Sequence, residues 1–392
     1  MVQTGITASD KVAHTLKTIS YFANSDWYLF NFRAPLAQAA KQTFGAEIHC
    51  LCPDGPYRPR LEAMGFRWFE TPLERQGTDP IAEWKLLQRV RQVLHETRPD
   101  LLHNFTLKSV VWGTRAARAE GIPALVNALA GMGSVFRGDT MKGALIRPVI
   151  KGLLRRSLSG HRQRVIFQNP DDLQLAVKEL GVDPCTAALI RGSGVNTARF
   201  TPALISPDPP VALFVGRLLK DKGILTFISA AEQLHKTHPS LRFRIAGSAD
   251  AGNPSSLQIS DIKKISSERP YLEFLGHVED MVQIYRGASF MVLPTAYGEG
   301  VPRSLIEAAA CGLPLIATDH PGCREIVLDG VNGFTVQPKD SQALADAIRK
   351  LLKNSDQMIT MGVQGRTLVE TEFSEESVIK RTLQIYRDLM VG

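Results

Sequence analysis

The chain has 392 residues, of which 44% are hydrophobic and 22% charged. That length predicts two or three domains, each able to bury its own core, and the charge fraction excludes wholesale disorder. A formal net charge of +7, from 46 Lys+Arg against 39 Asp+Glu, suits an anionic partner without specifying the anion. No window reaches the ~18 uninterrupted apolar residues of a membrane-spanning helix. The stretch Met1–Phe22 lacks a basic-then-apolar leader with a small-residue cleavage site, so a soluble, cytoplasmic protein is expected.

Short β-branched or apolar runs alternate with longer helical patterns along the whole chain. The first half carries runs at Leu16–Phe22, Ala46–Cys52, Leu101–Phe105, Ala124–Leu129, Val165–Gln168 and Ala188–Ile190. The second half carries them at Val211–Val215, Leu241–Ala246, Leu272–Leu275, Phe290–Pro294, Leu313–Thr318 and Gly333–Val336. Helical patterns lie between them, among them Pro80–Thr97, Asp221–His235, Val301–Cys311 and Ser341–Lys353, with a last one at Ser374–Met390. Strands separated by helix-length segments predict βαβ units, hence parallel sheets with helices on both faces. The stretch Thr201–Pro210 holds four prolines in ten residues and cannot continue a regular element, so it divides the chain into two doubly wound halves. Ligands of such sheets sit at the carboxyl ends of strands, and two facing sheets enclose a cleft.

Several chemistries are disfavoured by what is missing. There is no G-x-x-x-x-G-K-[ST], no G-x-S-x-G and no H-E-x-x-H, which argues against a P-loop NTPase, a typical α/β-hydrolase or a zincin. Gly192-Ser-Gly194-Val-Asn-Thr197 lacks the third glycine of a dinucleotide fingerprint and ends a half rather than opening one. Cys50, Cys52, Cys185, Cys311 and Cys323 are odd in number, scattered and without C-x-x-C, so they read as reduced thiols rather than a disulfide framework or zinc site.

The carboxyl half carries three strand–loop–helix segments suited to phosphates and sugars. In Leu213-Phe-Val-Gly-Arg-Leu-Leu-Lys-Asp-Lys-Gly223 a strand ends at Gly216, and Arg217 and Lys222 follow before the next helix. Two cations near a helix start can clamp a diphosphate without a metal, and solvated surface charges are the plainer alternative. In Pro294–Pro314 a glycine-flanked loop presents Glu299, Pro302 suits the first helical turn, and Glu307 lies mid-helix. Carboxylates accept hydrogen bonds from vicinal hydroxyls, so this pair suits a phosphorylated sugar or ribose, while a simple salt bridge would also account for Glu307. The third segment is Leu315-Ile-Ala-Thr-Asp-His-Pro-Gly-Cys-Arg-Glu-Ile-Val327.

In order and spacing, Gly216-Arg217…Lys222-Gly223, Glu299-x7-Glu307 and Ala317-Thr-Asp319…Gly322…Arg324-Glu325-Ile326 resemble the donor site of family-4 retaining glycosyltransferases. Ser25-Asp-Trp…Arg33, His103-Asn-Phe-Thr-Leu-Lys108, Asn127-Ala-Leu-Ala-Gly-Met-Gly133 and Ile166-Phe-Gln-Asn-Pro-Asp-Asp172 resemble a subgroup, the bacterial α-1,3-N-acetylgalactosaminyltransferases acting on undecaprenyl-diphosphate-linked sugars. The resemblance implies an α/β enzyme of GT-B fold, two facing Rossmann-like doubly wound domains with an interdomain cleft. It implies an acceptor domain at 1–200, a nucleotide-sugar domain at 211–375 and a helix at 376–392 returning to the first domain. Arg217 and Lys222 would stabilise the donor diphosphate, with Gly216 beside them. Glu307 would hold the ribose, and Glu299 would face the donor sugar near the Gly300 and Val301 amides and Pro302. His277 and Val278 would lie in the loop that reads the base. On the acceptor side stand Asn24, Ser25, Asp26, Arg33, His103 and Asn127. Asn24-Ser25-Asp26 replaces the Gly-Gly pair of many members, and Asn127 replaces a histidine.

The implied reaction is retaining transfer of a hexose or N-acetylhexosamine from a UDP-sugar to a polyprenyl-diphosphate-linked sugar, with no metal or other cofactor. A sugar-nucleotide epimerase, a phosphorylase or a non-catalytic nucleotide-sugar-binding or membrane scaffold protein are the rival readings. The stretch 141–164 holds seven Lys/Arg and no acidic residue, with Ile146, Val149, Ile150, Leu153 and Leu154 on one helical face. It suits the anionic inner surface of a membrane, or else packs on the sheet with a solvated basic face. It has no aromatic interleaving, so nucleic acid is not expected.

Overall fold

The computed structural model describes residues 16–74, 79–132, 141–160, 162–203, 207–250, 252–298 and 300–391, with only the backbone over 141–146. Two parallel sheets form two α/β domains. The first contains β1 (Thr18–Phe22), β2 (Glu47–Cys52), β3 (Arg67–Glu70), β4 (Leu101–Phe105), β5 (Ala124–Leu129), β6 (Gln163–Phe167) and β7 (Ala187–Leu189). The second contains β8 (Val211–Val215), β9 (Arg242–Ala246), β10 (Leu272–Gly276), β11 (Phe290–Leu293), β12 (Leu315–Thr318) and β13 (Gly333–Val336). Their orders are 3-2-1-4-5-6-7 and 10-9-8-11-12-13, so each sheet reverses direction once, between β1 and β4 and between β8 and β11. Both are Rossmann-like, and each has a crevice at its reversal.

Central strands are apolar on both faces because helices cover both. Every residue of β4, β5 and β11 is buried. The edge strand β3 escaped the sequence reading for the converse reason. Its Arg67-Trp-Phe-Glu70 has charged, exposed ends around two half-buried aromatics, and no apolar run marks it.

The helix Met141–Leu158 follows the second of its two readings, packing its apolar face into the domain core. Leu154 and Leu158 are buried in a cluster with Val110, Val165 and Leu180, and Ile150 and Leu153 pack against it. The apolar stripe is therefore turned onto the sheet, leaving Val149 exposed. Arg155 and Arg156 remain exposed, and Lys151 pairs with Glu179 at 2.9 Å. The side chain of Ile146 lies outside the described residues.

The chain crosses between domains twice, and the crossings pair. Val195 N–H donates to Phe373 O at 2.9 Å, and Glu375 N–H donates to Val195 O at 3.0 Å. Helix Glu375–Val391 then lies on the first sheet, where Val378, Leu383, Ile385 and Tyr386 join the core around Ile19, Ile48 and Phe105. Tyr386 OH is 2.6 Å from His103 Nδ1 and donates to Tyr21 OH at 3.2 Å. Within the second domain, the loops at its reversal touch. Gly223 is left-handed (φ 81°), and a Cβ there would sit 1.9 Å from Pro294 O.

Three measurements test this packing. Tyr386→Phe should lower the thermal midpoint, because it leaves a buried imidazole nitrogen unpaired at about 1–3 kcal/mol. Burial, with the Arg33 charge adding, holds the His103 imidazolium pKa well below its ordinary value, and burial also lowers that of His49. The unfolded chain then binds these protons first, so stability should fall as pH drops below about 6.5. His103→Gln should flatten that slope. Gly223→Ala should destabilise by roughly 1–3 kcal/mol through a strained φ and the clash with Pro294.

Candidate active site

The carboxyl ends of the two sheets face each other across a cleft. Asn24, Leu73, Thr106, Leu107 and Lys108 line it from the first domain, and Arg217, Asn253 and Tyr297 from the second. These residues lie on the loops after β1, β3, β4, β8, β9 and β11 or, for Leu107 and Lys108, on the first turn of the helix Leu107–Glu120, so both reversal points open into one space.

On the second domain, β8 is followed by Gly216, whose N–H donates to Ala246 O at 3.0 Å. The loop turns outward there and projects Arg217, whose Nη1 meets Asp250 Oδ2 at 2.6 Å. That pair is half-exposed, and it engages one of five guanidinium donors, so it aims the fork without exhausting it. Lys222 closes the turn Lys220–Lys222, and its Nζ lies 5.5 Å from the Tyr297 ring centroid. Asp221 O accepts Ala296 N–H at 2.8 Å and Thr295 Oγ1–H at 3.3 Å, fastening the cationic turn to the loop after β11.

Glu299 lies outside the described residues. The amides expected beside it are engaged elsewhere: Gly300 N–H donates to Ala130 O at 3.3 Å and Val301 N–H to Gln168 Oε1 at 3.1 Å. Pro302 caps helix Arg303–Ala310 without a side-chain bond. Both Glu307 oxygens are held, Oε1 by Arg303 Nε at 2.8 Å and Oε2 by Tyr285 OH at 3.1 Å. The salt bridge weighed as the plain reading is present, and it orients the carboxylate. Burial, with the Glu307 charge adding, pushes the Tyr285 phenol up, so it stays a hydrogen-bond donor. His277 is exposed and Val278 half-buried beyond the edge strand β10, outside the cleft lining.

The acceptor-side residues divide. Asn24 reaches the cleft. Ser25 caps the next turn, accepting Tyr28 N–H at 3.2 Å. Asp26 is buried and ties two loops, accepting Trp27 N–H at 2.7 Å and Tyr57 N–H at 2.6 Å. Arg33 is buried beneath aromatic rings, donating to Tyr28 OH at 2.8 Å and lying 4.5 Å from the Phe105 centroid. Asn127 belongs to an internal network, accepting from Asn104 Nδ2 at 2.9 Å and Thr114 Oγ1 at 3.0 Å and donating to Gln163 Oε1 at 3.2 Å. Asp26 and Asn127 thus serve the interior of the first domain, while Arg33 and His103 line a small cavity shared with Gln168 and Gly192.

Sequence reading passed over Lys108, Tyr297, Asn253 and Asp250. Lys108 was in a quoted motif but given no role; its Nζ bonds Glu83 Oε1 and, at 2.7 Å, Glu74 O. Thr106 beside it has φ 77°, a conformation costly for a β-branched residue and frequent at ligand sites. Among the described residues, no group of three or more His, Cys, Asp or Glu side chains could hold a metal ion. No described helix is long and apolar enough to cross a membrane.

Residues 197–367 match the family Glycosyl transferases group 1, and residues 18–169 match Glycosyl transferase 4-like. The chain is 24% identical over 382 residues to the N,N'-diacetylbacillosaminyl-diphospho-undecaprenol alpha-1,3-N-acetylgalactosaminyltransferase of Campylobacter jejuni, covering 94% of this chain and 98% of that protein. It is 25% identical over 361 residues to the UDP-Gal:alpha-D-GlcNAc-diphosphoundecaprenol alpha-1,3-galactosyltransferase of Escherichia coli, covering 88% and 90%. Among solved structures, sucrose-phosphate synthase of Thermosynechococcus elongatus superimposes with a TM-score of 0.80 at 21% identity, covering 95% of this chain and 99% of that one. The Anabaena HepE complex with UDP and glucose does so with 0.75 at 21% identity, also covering 95% and 99%. Two matched halves and two facing Rossmann-like sheets make this chain a glycosyltransferase of GT-B fold, with a glycosyl transferase 4-like half and a group 1 half.

Proposed function

We propose that the second domain binds a UDP-sugar, the first binds a polyprenyl-diphosphate-linked sugar, and a hexose or N-acetylhexosamine passes between them with retention of configuration. One observation carries the donor half of this reading: Arg217 and Lys222 project from the loop after β8 towards the cleft, at the reversal point of the sheet. Two fixed cations there stabilise the negative charge that grows on a departing diphosphate, without a metal. Preorganised charge of this kind is the largest usual term in such transfers. The acceptor half is supported by the activities of the two relatives, both of which act on undecaprenyl-diphosphate-linked sugars.

A front-face path needs no second carboxylate as nucleophile. The acceptor hydroxyl attacks the anomeric carbon from the leaving-group side, the bond from that carbon to the diphosphate oxygen breaks, and the diphosphate takes the hydroxyl proton. Glu307, already oriented by Arg303 and Tyr285, has lone pairs left for the ribose hydroxyls. Attachment to the inner face of the membrane would rest on the exposed cations Arg155 and Arg156 rather than on the apolar stripe, which the core consumes.

The deciding assay screens UDP-sugars for UDP release that depends on a polyprenyl-diphosphate-sugar acceptor, with the anomeric configuration of the product read by NMR. Release without acceptor, or none with any UDP-sugar, would refute the reading. Arg217→Ala and Lys222→Ala should each slow transfer by roughly 10²-fold at saturating donor with little change in thermal midpoint. Full kcat in either variant would remove that residue from the clamp. EDTA should leave activity intact, and loss restored by Mg²⁺ would overturn the metal-free assignment. Binding to anionic vesicles should weaken in Arg155→Gln/Arg156→Gln, by about 1 kcal/mol per cation.

A further inference from the structure

The first domain carries another cleft, at the amino ends of its strands and so at the far end of the sheet from the active site. It holds about 350 Å³ between Arg118, Ile122, Pro123, Gly160, Arg162 and Gln163. Gln163, the first residue of β6, is 1% exposed, and its amide is only half used. Oε1 accepts Asn127 Nδ2 at 3.2 Å, whereas Nε2 has no hydrogen-bond partner. The direction of this amide is set from within, since Asn127 Oδ1 already accepts from Asn104 and Thr114. A buried donor left without an acceptor is costly.

Arg118 stands beside it, near the end of helix Leu107–Glu120. Its guanidinium caps the last turn of helix Met141–Leu158, donating to Arg156 O at 2.5 Å, to Ser157 O at 3.2 Å and to Ser159 O. These acceptors are neutral. Burial lowers the Arg118 pKa, and among the described residues no carboxylate offsets the effect. The exposed Arg162 adds a second guanidinium to the rim. Gly160 supplies the space between them. Its φ is 121°, and beyond its chain neighbours a Cβ there would meet two atoms within 4 Å, Arg118 Nη2 at 3.5 Å and Gln163 Nε2 at 3.9 Å. Any other residue would fill this point with its own side chain; glycine leaves it open, between a positive charge and an unpartnered N–H.

We propose that this cleft is an oxyanion site for a phosphate-bearing ligand, with one oxygen seated beside Gly160. That oxygen accepts from Gln163 Nε2, and Arg118 and Arg162 offset its charge. Arg118 Nη2 already spends both hydrogens on Ser157 and Ser159, so its part is electrostatic and the directional bond falls to Gln163. A phosphate suits the place because it offers several acceptor oxygens to guanidinium and amide groups at once. The length of the first sheet separates the site from the cleft where transfer occurs, so its ligand is neither donor nor acceptor. Two sources share this chemistry, a free phosphate compound and the headgroup of an anionic lipid. The second arises because Arg118 ties the cleft to Arg156, one of the exposed cations of the basic helix.

The test titrates inorganic phosphate into the full-length protein by calorimetry, with ionic strength held constant by chloride. Gln163→Glu keeps an oxygen for Asn127 but replaces the free donor by an acceptor and adds negative charge. Phosphate affinity at this site should fall by roughly tenfold or more. Arg162→Gln should weaken binding several-fold and flatten its dependence on salt. Arg217→Ala/Lys222→Ala should leave this binding in place, which distinguishes it from phosphate held in the active-site cleft. Equal affinity in the wild type and Gln163→Glu, no saturable binding at all, or complete loss in Arg217→Ala/Lys222→Ala would each overturn the proposal. If Gln163→Glu fails to fold, Arg162→Gln decides, since its side chain is exposed, and unchanged affinity there would refute the site. Vesicles of phosphatidylglycerol, compared with phosphatidylcholine, then identify the source. A lipid headgroup predicts that phosphatidylglycerol binding falls in Gln163→Glu together with phosphate affinity. A soluble phosphate compound predicts unchanged vesicle binding and loss of phosphate affinity alone. Either pattern supports the site.

Discussion

The arrangement of this enzyme hangs on a pair of backbone hydrogen bonds between the two chain crossings. Val195 donates to Phe373 and accepts from Glu375, so the outgoing and returning strands run side by side. One crossing would let the domains swing about a flexible tether; two paired crossings restrict them to motion about a common line. The helix that follows the second crossing is then buried against the first sheet, with Tyr386 between His103 and Tyr21. Arg366 reinforces the same place, donating to Thr197 O, Phe200 O and Ala310 O from the second domain. Under that restraint the carboxyl ends of both sheets face one cleft. No other edge of either sheet could offer loops from both reversal points.

Within the cleft the two sides play different electrostatic parts. The second domain presents cations on short, fastened loops, with Asp250 beside Arg217 to fix its direction. The polar residues of the first domain are mostly consumed in its own construction. Asp26 satisfies backbone amides, Asn127 satisfies neighbouring side chains, and Arg33 lies under Tyr28 and Phe105. A rigid charged face opposite a wall of internally satisfied groups is a reasonable division for transfer chemistry. In the proposed transfer the charge that changes most would belong to the leaving diphosphate, and fixed dipoles would stabilise it without reorganising. The acceptor needs position more than charge. Thr106, held at φ 77° beside Lys108, marks where the first domain spends conformational energy at the cleft rim.

The basic helix Met141–Leu158 illustrates how one sequence pattern supports two physical outcomes. Apolar residues at helical spacing signal a buried face, but not what buries it. A bilayer and a β-sheet offer the same low-polarity surface to Leu153 and Leu154. The neighbouring helices and β6 reach these side chains within the same domain, so burial in the core costs no separate ordering of a partner.

Much of this protein could be read from residue order alone. Alternation of apolar runs with helical periods established two parallel α/β sheets, because strands covered on both faces must be continuously apolar. Glycines and cations just past strand ends singled out loops that line the cleft, because those positions have no regular backbone to serve and are available to ligands. Residues read by type without position fared differently. Asp26 opens a short helix and His103 and Asn127 lie within β4 and β5, each turned inward, and nothing in their spacing shows which way a side chain leaves the sheet. The amides of Gly300 and Val301 looked available because their partners, Ala130 and Gln168, come from more than a hundred residues away. Contacts between domains carry no local period and no motif. The sequence by itself determined the two sheets and the chemistry of the loops that end them. Only the tertiary structure decided which polar groups face the cleft, because that depends on how two separately folded surfaces meet.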